Sequence, residues 1–205
     1  MAKIKLLIVM GPSGCGKSTI AKELANRLSN GSYVEGDQLH PKCNVDKMSN
    51  GTVCSSFNSF QSNITHYCIA IPLDDDDRWP WLQLIREHCE NKAIEINDEL
   101  DNDDRDREHF IIVTCSALKK IYRDRLRQIQ HVEWIKFIFP NGSQHLVRER
   151  ISQRKNHYMK CNMLESQYAC LESPVESNEN DVIQVDIEQS IDTIVEAIIN
   201  HQLCD

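Results

Sequence analysis

The chain has 205 residues, 40% hydrophobic and 26% charged, with a formal net charge of −8. That length suits one domain able to bury a core. The acidic balance argues against a nucleic-acid partner, whose binding rests on clustered cations, and no stretch reaches the ~20 apolar residues needed to span a bilayer.

Nine cysteines are present, none in a C-x-x-C pair, so neither a zinc knuckle nor a thioredoxin-like motif is expected. The count reads as reduced thiols in a cytoplasmic protein, several buried as small hydrophobes.

Ile4 to Met10 is a nearly unbroken apolar run, as a parallel strand covered on both faces requires. Met1 to Met10, with two lysines and this short apolar run, faintly resembles a secretion leader, but it lacks a cleavage site and the run leads straight into a glycine loop, so it is read as a strand. Beyond Gly11 to Gly16, Ile20, Ala21, Leu24, Ala25 and Leu28 repeat at helical spacing. Asn30-Gly31-Ser32 stops that helix, and Tyr33-Val34 begins a second strand ending near Glu35-Gly36-Asp37. Thr52 to Ala70 is rich in Ser, Asn, Phe and Cys, almost uncharged and without period. Asn97 to Glu108 is polar and acidic, which predicts a solvated loop.

Two further strands are expected at Phe110 to Cys115 and Trp134 to Phe139, with a basic-faced helix over Leu118 to Ile129 between them. A last strand, Val182 to Val185, precedes a helix whose Ile191, Ile194, Val195, Ile198 and Ile199 form one apolar face. Asp186 with Gln189 reads as a capping box at its start. Strands alternating with helices predict one α/β domain over 1–205 built on a doubly wound parallel sheet. Its ligands should lie beyond the carboxyl ends of the strands.

Gly11-Pro12-Ser13-Gly14-Cys15-Gly16-Lys17-Ser18 satisfies G-x-x-x-x-G-K-[ST] between a strand and a helix. Glycines let the backbone wrap a phosphate with N–H groups turned inward, and the helix N-terminus adds positive potential. Lys17 is expected to reach the β- and γ-phosphates and Ser18 to give an oxygen to Mg²⁺. Gly11, Ser13, Gly14, Cys15, Gly16, Lys17, Ser18 and Thr19 are thus the expected ATP contacts. The loop alone does not separate kinase from GTPase or motor.

Asp37, at the end of the second strand, is placed to accept or orient a hydroxyl proton during phosphoryl transfer, or else to cap a helix. Arg78, in Asp77-Arg78-Trp79-Pro80-Trp81, can clamp a carboxylate with two parallel hydrogen bonds, or pair with the aspartates before it. Cys115-Ser116-Ala117-Leu118-Lys119 falls at another carboxyl strand end, with Tyr122, Arg123 and Asp124 a turn later. Arg150, Arg154 and His157 lie in a basic stretch. Cations there can close over ATP and stabilise the transferring phosphoryl group, or form an ordinary solvated helix.

These segments together resemble the gluconokinase family of P-loop sugar-acid kinases, related to the shikimate kinases. The resemblance rests on Gly11 to Thr19, Glu35-Gly-Asp-Gln-Leu-His-Pro41, Asn44-x-x-Lys47-Met-Ser-Asn-Gly51 and Ile71-Pro-Leu-Asp-Asp-Asp-Asp-Arg-Trp-Pro-Trp-Leu82. It continues through Cys115-Ser-Ala-Leu-Lys-Lys-Ile-Tyr-Arg-Asp124, Arg150-x-x-x-Arg154-x-x-His157, Leu164-x-Ser166-Gln167 and Leu171-Glu172-x-Pro174. It implies a nucleoside-monophosphate-kinase-like fold with a helical lid near 143–160, Mg²⁺-ATP as donor, and D-gluconate phosphorylated on its terminal hydroxyl. By position it makes Asp37, Lys17, Arg150 and Arg154 catalytic. Asp37, His40, Lys47, Arg78, Lys119, Arg123 and His157 become substrate-binding, and Ser18 the metal contact. Another small-acceptor kinase of the shikimate type, or a nucleotide-binding protein inactivated by an insert, are the alternatives. The partner is a small sugar acid, with no nucleic acid or membrane; a homodimer is left open.

The departure is Thr52 to Ala70. The family pattern runs from Lys-Met-Ser-Asn-Gly almost directly into Ile-Pro-Leu-Asp-Asp-Asp-Asp-Arg, so this stretch reads as an insert, either a surface loop or an intron translated in frame. A real insert would threaten to separate Arg78 from Lys47.

Overall fold

A computed structural model describes residues 2–49, 73–100, 107–153 and 161–202. In chain order these form β1 (Lys3–Val9), α1 (Lys17–Arg27), β2 (Gly31–Val34), a single 3-10 turn (Gly36–Leu39), α2 (Lys42–Ser49) and α3 (Asp75–Glu99). β3 (Glu108–Thr114), α4 (Lys120–Leu126), β4 (Trp134–Asn141), α5 (Gln144–Ser152), α6 (Cys161–Cys170), β5 (Val182–Asp186) and α7 (Ile191–Gln202) follow.

The strands make one sheet in the order β2-β3-β1-β4-β5, every pairing parallel. Alternation along β1 divides the core. Ile4, Leu6 and Ile8 face α3 and α4 through Leu82, Ile85 and Tyr122, whereas Leu7 and Val9 face α1 and α7 through Leu24, Val195 and Ile198. A strand apolar on both faces is what this two-sided burial demands, each fully buried side chain contributing about 1.5–3 kcal/mol. β1 lies centrally, with β3 on one side and β4 on the other, so the loop after it opens into the crevice where ligands of such sheets sit.

The structure corrects the expected boundaries in three places. Asn97 to Glu99 belong to the end of α3 and Glu108 to β3, so the polar run is partly helix and partly strand; residues 101–106 lie outside the described residues. The helix expected from Leu118 begins at Lys120, because Ala117 takes a left-handed φ of 39° and Lys119 is extended. Asp186 ends β5 instead of capping α7. Its carboxylate accepts Glu188 N–H at 2.9 Å, and Ser190 caps α7 by accepting Thr193 N–H at 3.2 Å.

Thr52 to Ala70 lies outside the described residues, but its flanks meet. Asn44 on α2 is 2% exposed and donates to the Asp77 carbonyl at 2.7 Å. Lys47 reaches both Asp74, at 3.2 Å, and Asp77. The acidic run builds the start of α3. Asp74 accepts Asp77 N–H at 3.0 Å while the Asp77 carboxylate accepts Asp74 N–H at 2.9 Å, a reciprocal cap that satisfies two helix-end donors. The expected separation of Lys47 from the Arg78 segment therefore does not occur.

Candidate active site

The phosphate loop joins β1 to α1. Its glycines, Gly11, Gly14 and Gly16, all take positive φ, at 124°, 85° and 100°, values that residues with a Cβ reach only under strain. Gly16 stands at the N-cap of α1 with no side-chain cap, leaving the helix N-terminus open to an anion. Lys17 Nζ donates to the Pro12 carbonyl at 3.0 Å, curled over the loop. Ser13 is engaged otherwise: its N–H donates to Gln167 Oε1 at 2.7 Å. Cys15 is 1% exposed. Burial pushes its thiol up, opposed by the charges of Lys17 and Arg150, so it behaves as a small hydrophobe and not as a reactive thiol.

Beside the loop opens a cavity of about 410 Å³, lined by Gly14 to Gly16, Thr19, Ile20 and the apolar Ile187, Ile191 and Ile194, with Arg150, Gln153 and Gln189 as further polar members. Arg150 Nη2 donates to the Ile187 carbonyl at 2.6 Å, which fixes the guanidinium at the cavity wall. Apolar walls with a few polar groups next to a phosphate cradle suit a nucleotide. Arg154 and His157 lie outside the described residues.

Glu35, to which no sequence pattern assigns a role, is the hub between α1, β2 and β3. It accepts from Ser18 Oγ at 2.8 Å, and from the hydroxyls of Thr114 and Tyr33. Desolvation pushes its pKa up, but the three hydroxyl donors and the charge of Lys17 outweigh it, so the carboxylate ends below its ordinary range. Tyr33 in turn is pushed up to about 12 by burial and by Glu35, and stays a neutral donor. An acidic residue two positions before Asp37 was the available signal. What the sequence lacked was the knowledge that β2 lies next to β3 and within reach of α1.

Ser18 and Glu35 offer hard oxygen donors, and among the described residues no cluster of three His, Cys, Asp or Glu could hold a metal by itself. That set fits Mg²⁺, which keeps several waters and binds through one or two protein oxygens plus the phosphates of its nucleotide.

Asp37 sits in the 3-10 turn after Gly36 and caps no helix. Gly36 is required there, since a Cβ would come within 1.9 Å of the Thr114 carbonyl oxygen; Trp81 Nε1 donates to its carbonyl at 2.8 Å. Asp37 is open to solvent, yet the protein around it raises its pKa by desolvation, Glu35 adds repulsion, and Lys17 opposes both. A more basic carboxylate within the field of the phosphate-loop lysine suits proton acceptance.

Past Asp37 the surroundings are cationic and aromatic. His40 stacks on Trp81 with centroids 4.0 Å apart and 13° between planes. Burial, helped by the charge of Arg78, lowers its pKa to about 4, so it is neutral at pH 7. Arg78 binds the Leu73 carbonyl through Nε and Nη2 at 3.2 and 3.1 Å and not the aspartates before it, and its guanidinium lies 5.7 Å from the Tyr122 ring centre. Lys119 grips both oxygens of Asp75 at 2.7 and 2.8 Å. Arg78, Lys119, Tyr122 and Asp75 line a second cavity of about 510 Å³.

Arg123 is the correction. It is 0% exposed, and all five donors are engaged: Nε and Nη2 on the Glu179 carboxylate at 2.8 and 2.6 Å, Nη1 on the Ala117 and Leu118 carbonyls, each at 3.0 Å, and Nη2 also on the Glu172 carbonyl at 3.1 Å. A guanidinium has five N–H groups, so none is left for a substrate. Arg123 instead clamps the strained Ala117 turn that delivers Lys119.

A family model described as the Rad17 P-loop domain matches residues 1–139, the segment from β1 into β4 that carries the phosphate loop. The chain is 39% identical to a probable gluconokinase of Schizosaccharomyces pombe over 185 residues, covering 89% of this chain and 80% of that protein. It is 35% identical to the thermoresistant gluconokinase of Escherichia coli K12, covering 95% and 91%. The crystal structure of a gluconokinase from Sinorhizobium meliloti 1021 superposes with a TM-score of 0.69 at 33% identity, over 96% of this chain and 90% of that one. A P-loop core matched over nearly its whole length by these proteins makes this chain a member of the gluconokinase family.

Proposed function

We propose that the chain transfers the γ-phosphoryl group of ATP to the terminal hydroxyl of D-gluconate, giving 6-phosphogluconate. The observation that carries this reading is Asp37, a solvent-open carboxylate in the turn that follows β2, held within the field of the phosphate-loop Lys17 and raised in basicity by desolvation. The loop N–H groups and Lys17 bind and orient the phosphates. Asp37 Oδ accepts the proton of the attacking hydroxyl as the new P–O bond forms and the bond from the γ-phosphorus to the β,γ-bridging oxygen breaks, releasing ADP. Neutral His40, Arg78 and Lys119 hold the hydroxyls and the carboxylate of the acid, with Lys47 held on Asp77 at the rim of this side. Arg150 and Arg154 balance charge on the transferring group. Mg²⁺, bound through Ser18 and supported by Glu35, would neutralise charge on the β- and γ-phosphates.

ADP release with Mg²⁺-ATP, offering gluconate beside shikimate, glucose and no acceptor, tests the reading. Turnover with gluconate alone is expected, and turnover only with another acceptor would overturn the substrate. Asp37→Asn should lower kcat by about 10²–10⁴ while the Kd for ATP stays within about twofold; parental kcat in that variant would remove Asp37 from the mechanism.

A further inference from the structure

α6 lays Gln167 against the phosphate loop across 154 residues of sequence. Its Oε1 accepts the Ser13 N–H at 2.7 Å, and its Nε2 donates to Ser13 Oγ at 3.3 Å. The two bonds use both halves of one carboxamide on one residue at the tip of the loop. The stem is anchored as well. Leu164, one turn earlier on α6, is 1% exposed in a cluster with Cys15, Val147 and Ile187, against which Ile151 and Tyr168 pack.

The loop needs such a tie. Three glycines in six residues lose the most conformational entropy on ordering. The base of the loop is held by β4, where Met10 N–H donates to the Ile138 carbonyl at 2.8 Å, and by the segment after β3, where Gly11 N–H donates to the Ser116 carbonyl at 3.0 Å. The tip is held internally by Lys17 on the Pro12 carbonyl, but Lys17 is the group that turns to the phosphates. Gln167 can hold the tip with nucleotide bound or absent. Being neutral, it does so without setting a negative charge beside a triphosphate, as Glu would.

We propose that Gln167 is a positioning residue for ATP, which takes the Ser13 N–H out of the phosphate-binding set and presets the loop for the triphosphate. Its ligand rests on the kinase reading above.

The test compares the parent with Gln167→Met, which keeps the stem and volume but loses both hydrogen bonds, and with Gln167→Ala. Three quantities are read: the Kd of Mg²⁺-ATP by calorimetry, KM for gluconate, and the melting temperature. Gln167→Met is expected to raise the Kd for ATP about five- to tenfold, as losing one to two neutral hydrogen bonds implies, with KM for gluconate within about twofold of the parent. Gln167→Ala should match it in Kd. An ATP Kd within about twofold of the parent in Gln167→Met, or an equal rise in both constants, would overturn the proposal. So would a lowered melting temperature with unchanged Kd, since that marks a purely structural glutamine. A parent that binds ATP but does not turn over gluconate would sink the proposed reaction, while the Kd comparison would still decide the role of Gln167.

Discussion

Arg123→Met separates a substrate contact from a structural clamp. Methionine approximates the length of the arginine stem and removes all five donors. Arg123 is 0% exposed and the Glu179 side chain 4%, so the pair is cut in the interior. Removing one partner of a buried pair costs about 3–5 kcal/mol. Arg127 also faces Glu179 and holds Asp181 at 2.7 Å, so the Glu179 charge is not orphaned and the lower end, about 3 kcal/mol, applies. For a chain of this size about 2–4 °C is lost per kcal/mol, a fall in Tm of roughly 6–12 °C. Calorimetric melting reads this directly, and KM for gluconate is then measured well below the new Tm. Freed from Arg123, the Ala117–Leu118 turn no longer holds Lys119 in place, so a moderate rise in KM accompanies the loss of stability. The reasoning is refuted by a Tm within about 2 °C of the parent together with a KM raised tenfold or more, the signature of an arginine that touches substrate.

Three other outcomes follow from the same geometry. Glu35→Gln should raise the Mg²⁺ concentration for half-maximal rate by about 10–100-fold, since it removes the charge behind Ser18; a Mg²⁺ titration superimposable on the parent's would exclude Glu35 from supporting the metal. His40 has a folded pKa of about 4 against an ordinary value near 6.5, so between these the unfolded chain binds more protons. Stability from this group is complete above about pH 6.5 and is lost as pH falls toward about 4. Urea melts at several pH values should show a flatter slope in His40→Phe, which keeps the stack on Trp81, and an identical slope would rule His40 out as the source. Deleting residues 52–70 should preserve both the cooperative melt and gluconate turnover, because loop length alters stability by only about 1–2 kcal/mol and Asn44 and Lys47 tie α2 to α3 on their own. A deletion chain that no longer melts cooperatively would show that the segment contributes to the fold.

The local rules that sequence carries were enough for the sheet and the phosphate loop. An unbroken apolar strand, a glycine loop and a helix with period 3.6 act within about thirty residues, and β1, α1, β4, β5 and α7 lie close to where the hydrophobic pattern puts them. The boundaries that moved did so through contacts of similar range but different chemistry. Ala117 takes a positive φ because two carbonyls of its turn are bound by Arg123, and Ser190 displaced Asp186 as the cap of α7 because β5 runs through Asp186.

The division of labour among polar residues could be settled only in three dimensions. In sequence Arg123 and Arg78 are equivalent cations near helix starts; packing of Glu179 and three carbonyls around one withdrew it from solvent, while the other kept a cavity beside it. Glu35 became a hub because β2 and β3 are adjacent in the sheet, and Gln167 met Ser13 because α6 folds back over a loop 154 residues earlier. The family motif thus specified which residue types build the phosphate loop. Which side chain has a donor to spare depends on its full set of neighbours, and folding alone assembles that set.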